Sequence, residues 1–379
     1  MALLDVLIIG GGPAGSTCAR ILSKNRLSVL IVDKAKFPRK KLCAGWVTPE
    51  VFKLLSISPE EYSKSHILQP ISKFIVWDSH NNTHPVDFGR TVSYGIIRRE
   101  FDAYLLGLSG VKVSENFNVK KIEFLEDRVV VNDSLEARML VGAGGHFCPA
   151  SKALGNSYKD DSTLATLESE TELDSETINR TVPYPGAPEV IYLKTVDGYA
   201  WYFSKGNYLN IGIGSLNRKK IHASLNWFLK VLKEKNRLTN AVYSRLNPFT
   251  GHFYKIYSGG SKIITADRAI LAGDSAGLAD STSGEGIRPA VVSGFLAAEA
   301  IIEAEGDYSA ESLSAYKQKI REVFGKPGSS PPQHPPNPFV RFVFKRLLLG
   351  TVMGRNILIK KYFLKNSLTL SPHRQSSRL

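Results

Sequence analysis

The sequence predicts an α/β protein: a parallel-sheet domain assembled from discontinuous segments, around an inserted antiparallel β-sheet domain, with a helical tail behind. Three observations lead there. A strand, a glycine turn and a helix open the chain. The same patterning returns near residue 262 after a strand-rich stretch, and a proline-rich run then precedes a basic, apolar end.

The opening stretch "LLDVLIIGGGPAGSTCARIL" places an apolar run before Gly10, Gly12 and Gly15, then apolar residues at helical spacing. This order is the start of a Rossmann-like dinucleotide-binding unit. Gly10 permits the turn, Gly12 lets backbone approach a pyrophosphate, and Gly15 lets helix and strand pack closely. The phosphates belong at the helix N-terminus, where free N–H groups and the helix dipole favour negative charge. A second apolar run, "LSVLIVDKA", ends at Asp33, where a carboxylate receives ribose hydroxyls. This motif alone does not separate NAD from FAD.

Next come a basic loop, "KAKFPRKKLCAGW", and a helix from Pro49. Residues 71–94 alternate apolar and polar, which predicts a hairpin of a second, antiparallel sheet. "IIRREFDAYLLGLSG" reads as a helix, two short strands follow, and another apolar strand ends in "MLVGAGG". Residues 160–255 are strand-rich and aromatic. Near 262 the first pattern resumes with "KIITADRAILAGDSAG" and the helix "GEGIRPAVVSGFLAAEAII". The boundaries so read are 1–70, 93–155 and 256–325 for the cofactor domain, and 71–92 with 156–255 for a substrate domain. A linker follows over 326–338 and a basic amphipathic segment over 339–379.

Two late signals favour a flavin. Asp274 stands just past a buried strand, where its carboxylate can accept from ribityl or ribose hydroxyls. Gly286 and Ile287 open the next helix, and their N–H groups can face the pyrimidine edge of an isoalloxazine, where negative charge develops on reduction. Nicotinamide enzymes have no such need. The alternative is a small-residue helix packed for structure alone.

"GGGPAG", "IIRREFD", "LAGDSAG" and "SGEGIRPAVVSG", in this order, resemble the p-hydroxybenzoate-hydroxylase-fold flavoproteins. Within them, "FPRKKLCAGW" and "YAWYFSKGNYLNIGIG" are similar to the cysteine-glycine loop and the Y-x-W-x-F-P…G-x-G strands of the geranylgeranyl reductase family. The resemblance covers about residues 1–325. It implies FAD contacts at Ala14, Asp33, Cys43, Ala44, Arg98, Asp274, Gly286 and Ile287, and at the backbone near Val119. With Gly10, Gly12, Gly15 and Lys34 these form the expected cofactor set. The same resemblance implies a substrate pocket from Trp46, Tyr199, Trp201, Phe203, Gly212 and Gly214. Trp77, Tyr192 and Phe253 are added as aromatics on neighbouring strands.

The activity implied is reduction of an isolated C=C bond of an isoprenoid lipid by hydride from reduced FAD, with NAD(P)H or a reduced carrier protein as electron donor. Cys43 is the candidate catalytic residue, as a proton relay or a conformational latch; a buried cysteine acting as a small hydrophobe is the competing reading. The chain departs from the family at Ser204, where the motif has proline, and at Ala44 and Trp46, where the loop is richer in glycine. Gly144 stands where the fold's hydroxylases carry an aspartate, which argues against a nicotinamide-fed hydroxylase. A flavin-dependent monooxygenase or halogenase acting on a bulky apolar substrate is the alternative.

The 379 residues carry a net charge of +14, and Glu322 is the last acidic one. Such asymmetry points to a polyanionic surface. Arg341, Lys345, Arg346, Arg355, Lys360, Lys361 and Lys365 interrupt the tail's apolar clusters, so the pattern suits an anionic membrane interface rather than a transmembrane span. A helix packed on the body with a solvated basic face is the other reading. No nucleic-acid-binding module or metal-ligand cluster is apparent. Three widely spaced cysteines and the absence of a basic n-region lead to the expectation of a cytoplasmic, monomeric protein, peripheral on a membrane.

Overall fold

The computed structural model describes residues 3–157, 163–257, 263–280, 283–325 and 337–364. Its largest sheet has eight strands. The parallel core runs, in spatial order, through Ala269–Leu271, Leu135–Gly142, Leu4–Ile9, Val29–Val32 and Lys112–Ser114. Both faces of such a sheet are covered, so its strands are continuous apolar runs rather than alternating ones. Val6, Leu7, Ile8, Ile31 and Val141 are fully buried accordingly.

Two helices on one face carry the sequence's small residues. Pro13–Lys24 begins with proline at its first turn, where no backbone N–H is required. Ile287–Glu303 packs across it, and a Cβ at Gly294 would stand 2.3 Å from the carbonyl oxygen of Ala14. The glycine in "VVSGF" is therefore a contact surface between the first and last cofactor-type segments. Chain regions nearly three hundred residues apart meet at this contact.

The second sheet has seven strands, in the order Thr250–Lys255, Thr163–Glu172, Tyr208–Ser215, Gly198–Lys205, Glu189–Tyr192, Lys73–Trp77 and Thr83–Asp87. All pairings are antiparallel except that of Glu189–Tyr192 with Lys73–Trp77. The hairpin expected near 71–94 is present as the last two strands. One face is covered by the helix Ile221–Glu234, whose Leu225, Phe228, Leu229 and Leu232 are buried against Trp77, Tyr202 and Ile211. The other face looks onto a cavity. A small third sheet, Trp46–Val47, Ser93–Ile96 and Leu68–Ile71, links the two.

The described part of the tail is helical, Pro338–Val343, Phe344–Leu349 and Val352–Phe363. Leu349, Leu358, Ile359 and Leu364 are buried against Phe74, Val76, Val86 and Val190. The tail thus packs on the body. Most of the proline-rich run and everything after Leu364, Lys365 included, lie outside the described residues. Among the described residues no helix is long and apolar enough to cross a membrane, and no group of His, Cys, Asp and Glu has the arrangement of a metal site.

Candidate functional site

A cavity of about 1310 Å³ lies between the eight-stranded and seven-stranded sheets. That exceeds the roughly 300–1,000 Å³ typical of a single drug-sized ligand. Its wall falls into three groups of residues.

The first group is the glycine cradle. Gly10, Gly12, Ala14, Asp33, Lys34, Gly273, Asp274, Gly286 and Ile287 all line the cavity. Gly10 has φ of +106°, and a Cβ there would stand 2.4 Å from the Ala143 carbonyl, so only glycine makes this turn. Gly15 lies behind the wall, its α-carbon against the Gly10 carbonyl. Asp33 is held by the N–H groups of Gly11 at 2.8 Å and Ala35 at 2.9 Å. Asp274 comes close to Gly286, at the start of the Ile287–Glu303 helix. Val119 is buried in the core of the large sheet and lies outside the wall, although nearby Phe117 donates its N–H to the Asp33 carbonyl at 2.8 Å.

The second group is the loop 39–46, which runs from the cradle to the aromatic end. Arg39 lies beside Gly12 and pairs with Asp102 at 3.2 Å. Arg98 grips the same buried Asp102 with two bonds of 2.8 Å each, and Cys43 lies close to its guanidinium. Lys41 contacts Nε2 of His252 at 2.8 Å. Removal from water lowers the Lys41 pKa; Asp274 opposes the shift, and Arg98 and Arg39 add to it. Burial, then the Lys41 charge, pushes His252 down to about 3, so its imidazole is neutral and accepts from Lys41. Lys41 lies within the quoted "FPRKKLCAGW" but at a position its motif does not single out, and His252 carried no motif at all.

The third group is the sheet face itself. Directly opposed residues in neighbouring antiparallel strands share a face. One row is Thr166, Gly214, Tyr199 and Tyr192, and the next is Glu168, Gly212, Trp201 and Val190. Thr166, Glu168, Tyr192, Tyr199, Trp201 and Gly214 line the cavity. A Cβ at Gly212 would stand 2.2 Å from the Trp201 ring, so this glycine lets the indole lie across the sheet. Trp46 and Phe363 close the aromatic end, their ring centroids 5.3 Å apart. Phe203 has the right parity but is fully buried behind Trp46, 5.4 Å from its ring.

Two pocket expectations are corrected by the same parity rule. Trp77 pairs with Ile191 and Phe253 with Ala165, which places both on the opposite, helix-side face. Trp77 donates there to Glu189 at 2.8 Å, and Phe253 is 42% exposed.

Beneath Trp201 runs a polar network that no motif signalled. Trp201 Nε1 donates to Asn210 Oδ1 at 2.6 Å, and Asn210 Nδ2 donates to Glu168 at 2.9 Å and Glu170 at 3.0 Å. The fully buried Lys205 pairs with Glu170 at 2.5 Å and donates to the Ile96 and Ala44 carbonyls. Lys205, Asn210 and the Cys43 backbone favour the Glu168 carboxylate, yet burial outweighs them and raises its pKa to about 7.

The NAD(P)-binding Rossmann-like domain family matches residues 8–39, from the end of the opening strand through the glycine turn, the helix and the second strand to the start of the basic loop. An uncharacterised protein of Methanosarcina barkeri is 30% identical over 79% of this chain and 75% of its own. A digeranylgeranylglycerophospholipid reductase of Thermoplasma acidophilum is 28% identical over 86% of this chain and 85% of its own. The solved structure of a geranylgeranyl bacteriochlorophyll reductase-like protein from Thermoplasma acidophilum superposes with a TM-score of 0.71. It covers 97% of this chain and 94% of its own at 21% identity, a likeness of fold.

Proposed function

The chain belongs to the geranylgeranyl reductase family of FAD-dependent oxidoreductases, and from that premise we propose that it saturates C=C bonds of an isoprenoid, geranylgeranyl-type lipid. The observation that carries the reading is the continuity of one cavity from the glycine cradle, past Cys43 and Arg98, to the aromatic rows. A dinucleotide fits the first part. Gly12 and Gly286 leave room for phosphate and ring, Asp33 presents carboxylate oxygens for ribose hydroxyls, and Asp274 stands at the helix start for the ribityl chain. Arg39 and Arg98 add positive charge, and the large-sheet segments form the cofactor domain.

The apolar lipid fits the second part. Trp46, Tyr192, Tyr199, Trp201 and Phe363 present ring faces to it and exclude water from the reacting carbons. When bound, reduced FAD supplies the hydride, and NAD(P)H or a reduced carrier protein restores it. Cys43 stands at the junction near Arg98 and borders both parts.

The tail serves access. Phe339, Leu347, Val352 and Met353 expose 57–75% of their surface, beside the exposed Arg346, Lys360 and Lys361. Apolar side chains with flanking cations suit an anionic membrane interface, where a prenyl lipid resides. Val340, on this surface, also lines the cavity.

The test is product analysis. The flavin-loaded protein, reduced under anaerobic conditions, is given digeranylgeranyl phospholipid in vesicles, and the lipids are weighed by mass spectrometry. A gain of one hydrogen pair per double bond supports the reading. Product that forms only with oxygen supports a monooxygenase or halogenase instead.

A further inference from the structure

We propose that Glu168 is the acid that delivers the second hydrogen, as a proton, to the carbon that does not take the hydride. The inference rests on the reductase reading and deepens it. Glu168 is 2% exposed, lies in the same cross-strand row as Trp201, and lines the cavity where the Cys43 loop crosses it. Its carboxyl is held by Asn210 Nδ2 at 2.9 Å, and the Cys43 backbone lies close enough to act on it electrostatically.

The charges around it keep the proton available. Lys205 favours the carboxylate, but its ammonium is engaged directly by Glu170, which offsets part of that pull, and burial outweighs the rest. Glu170 opposes ionisation of Glu168. Tyr254, on the adjacent strand Thr250–Lys255, and Tyr199, two strands away on the other side, have hydroxyl pKa values raised by burial and stay neutral. Arg98 is committed to Asp102. The outcome is a carboxylic acid that holds its proton up to about pH 7 in a water-poor wall.

The step balances. Two C–H bonds form across the former double bond, one from the hydride of the reduced flavin and one from the carboxyl proton. The O–H bond of Glu168 breaks, the alkene gains the two electrons that the flavin loses, and the carboxylate later takes a proton from water.

Two measurements test this on the flavin-loaded protein. Infrared spectra recorded between pH 5 and 9 read the C=O stretch of a protonated carboxyl. That band is expected to titrate near pH 7 in wild type and to be missing in E168Q. Anaerobic stopped flow then follows flavin reoxidation by geranylgeranyl lipid. The wild-type rate is expected to fall about tenfold per pH unit above pH 7, and E168Q to be on the order of 100-fold slower with a flat profile. E168D, a shorter acid, is expected to regain part of the rate and the pH dependence. A wild type reoxidised at a rate independent of pH, or an E168Q that keeps pace with wild type, overturns the role of Glu168 alone. A bound flavin that no prenyl lipid reoxidises overturns the reductase reading, and the proton delivery with it.

Discussion

Phe363 meets Trp46 edge-on, with ring centroids 5.3 Å apart and planes at 76°. One residue belongs to the tail and the other to the loop after the second strand, so the end of the chain completes the wall of a cavity begun by its start. Phe363 also touches Tyr199 at 5.1 Å and Phe74 at 5.9 Å.

Removing that ring opens the aromatic end to water. F363A is expected to lower turnover on prenyl lipid at least tenfold while flavin content is unchanged. Its stability loss falls below the ~3 kcal/mol of a fully buried phenylalanine, because this one is only half-buried. Lipid turnover, flavin absorbance and urea denaturation check the three parts.

The contact of Gly294 with Ala14 predicts the opposite pattern. G294A forces a methyl against a backbone carbonyl that cannot give way, which costs about 1–3 kcal/mol and spreads the two helices of the cradle. Thermal melts and flavin content are expected to fall together. A variant that melts and binds flavin like wild type would contradict the packing account.

Asp102 is fully buried between Arg98 and Arg39. R98A leaves its carboxylate with the more exposed Arg39 alone, and stripping one partner from a buried pair costs about 3–5 kcal/mol. R98A is expected to purify with little flavin and a lowered melting temperature. R98K restores charge without the two-pronged grip and is expected to recover only part of each.

Glu168 also makes stability depend on pH. Its folded pKa lies near 7, above the 4.5 of an exposed glutamate. The folded state therefore holds the proton longer than the unfolded chain. Stability is fully present below pH 4.5 and declines as pH rises to 7, by about 3 kcal/mol in total. E168Q removes that decline. The wild-type minus E168Q difference in unfolding free energy, measured at pH 4.5, 6 and 8, is expected to fall by this amount.

Much of the cofactor half was legible because its demands are local. A turn that only glycine makes, an acidic residue at the end of the next strand, and a small-residue helix each leave a mark within twenty residues. Gly10, Asp33 and Gly286 accordingly meet in one cavity. The helix Ile221–Glu234 was hidden in a stretch read as strands, although Leu225, Phe228, Leu229 and Leu232 repeat at helical spacing. Glu168 left no mark at all, and Asn210 and Lys205 stand in "YAWYFSKGNYLNIGIG" at positions its motif does not specify. Charged residues in alternating strands read as solvent-facing, and only pairing with the right neighbours makes their burial tolerable.

The sequence by itself determined the α/β class, the glycine cradle and the separation of its segments, since backbone geometry and apolar periodicity act over short spans. The tertiary structure alone decided which face of each strand meets the cavity, and so turned Trp77 and Phe253 away while bringing Glu168 and Phe363 in. The reason is that strand register and helix docking are set by partners distant in the chain, and one residue of register sends every side chain to the other face.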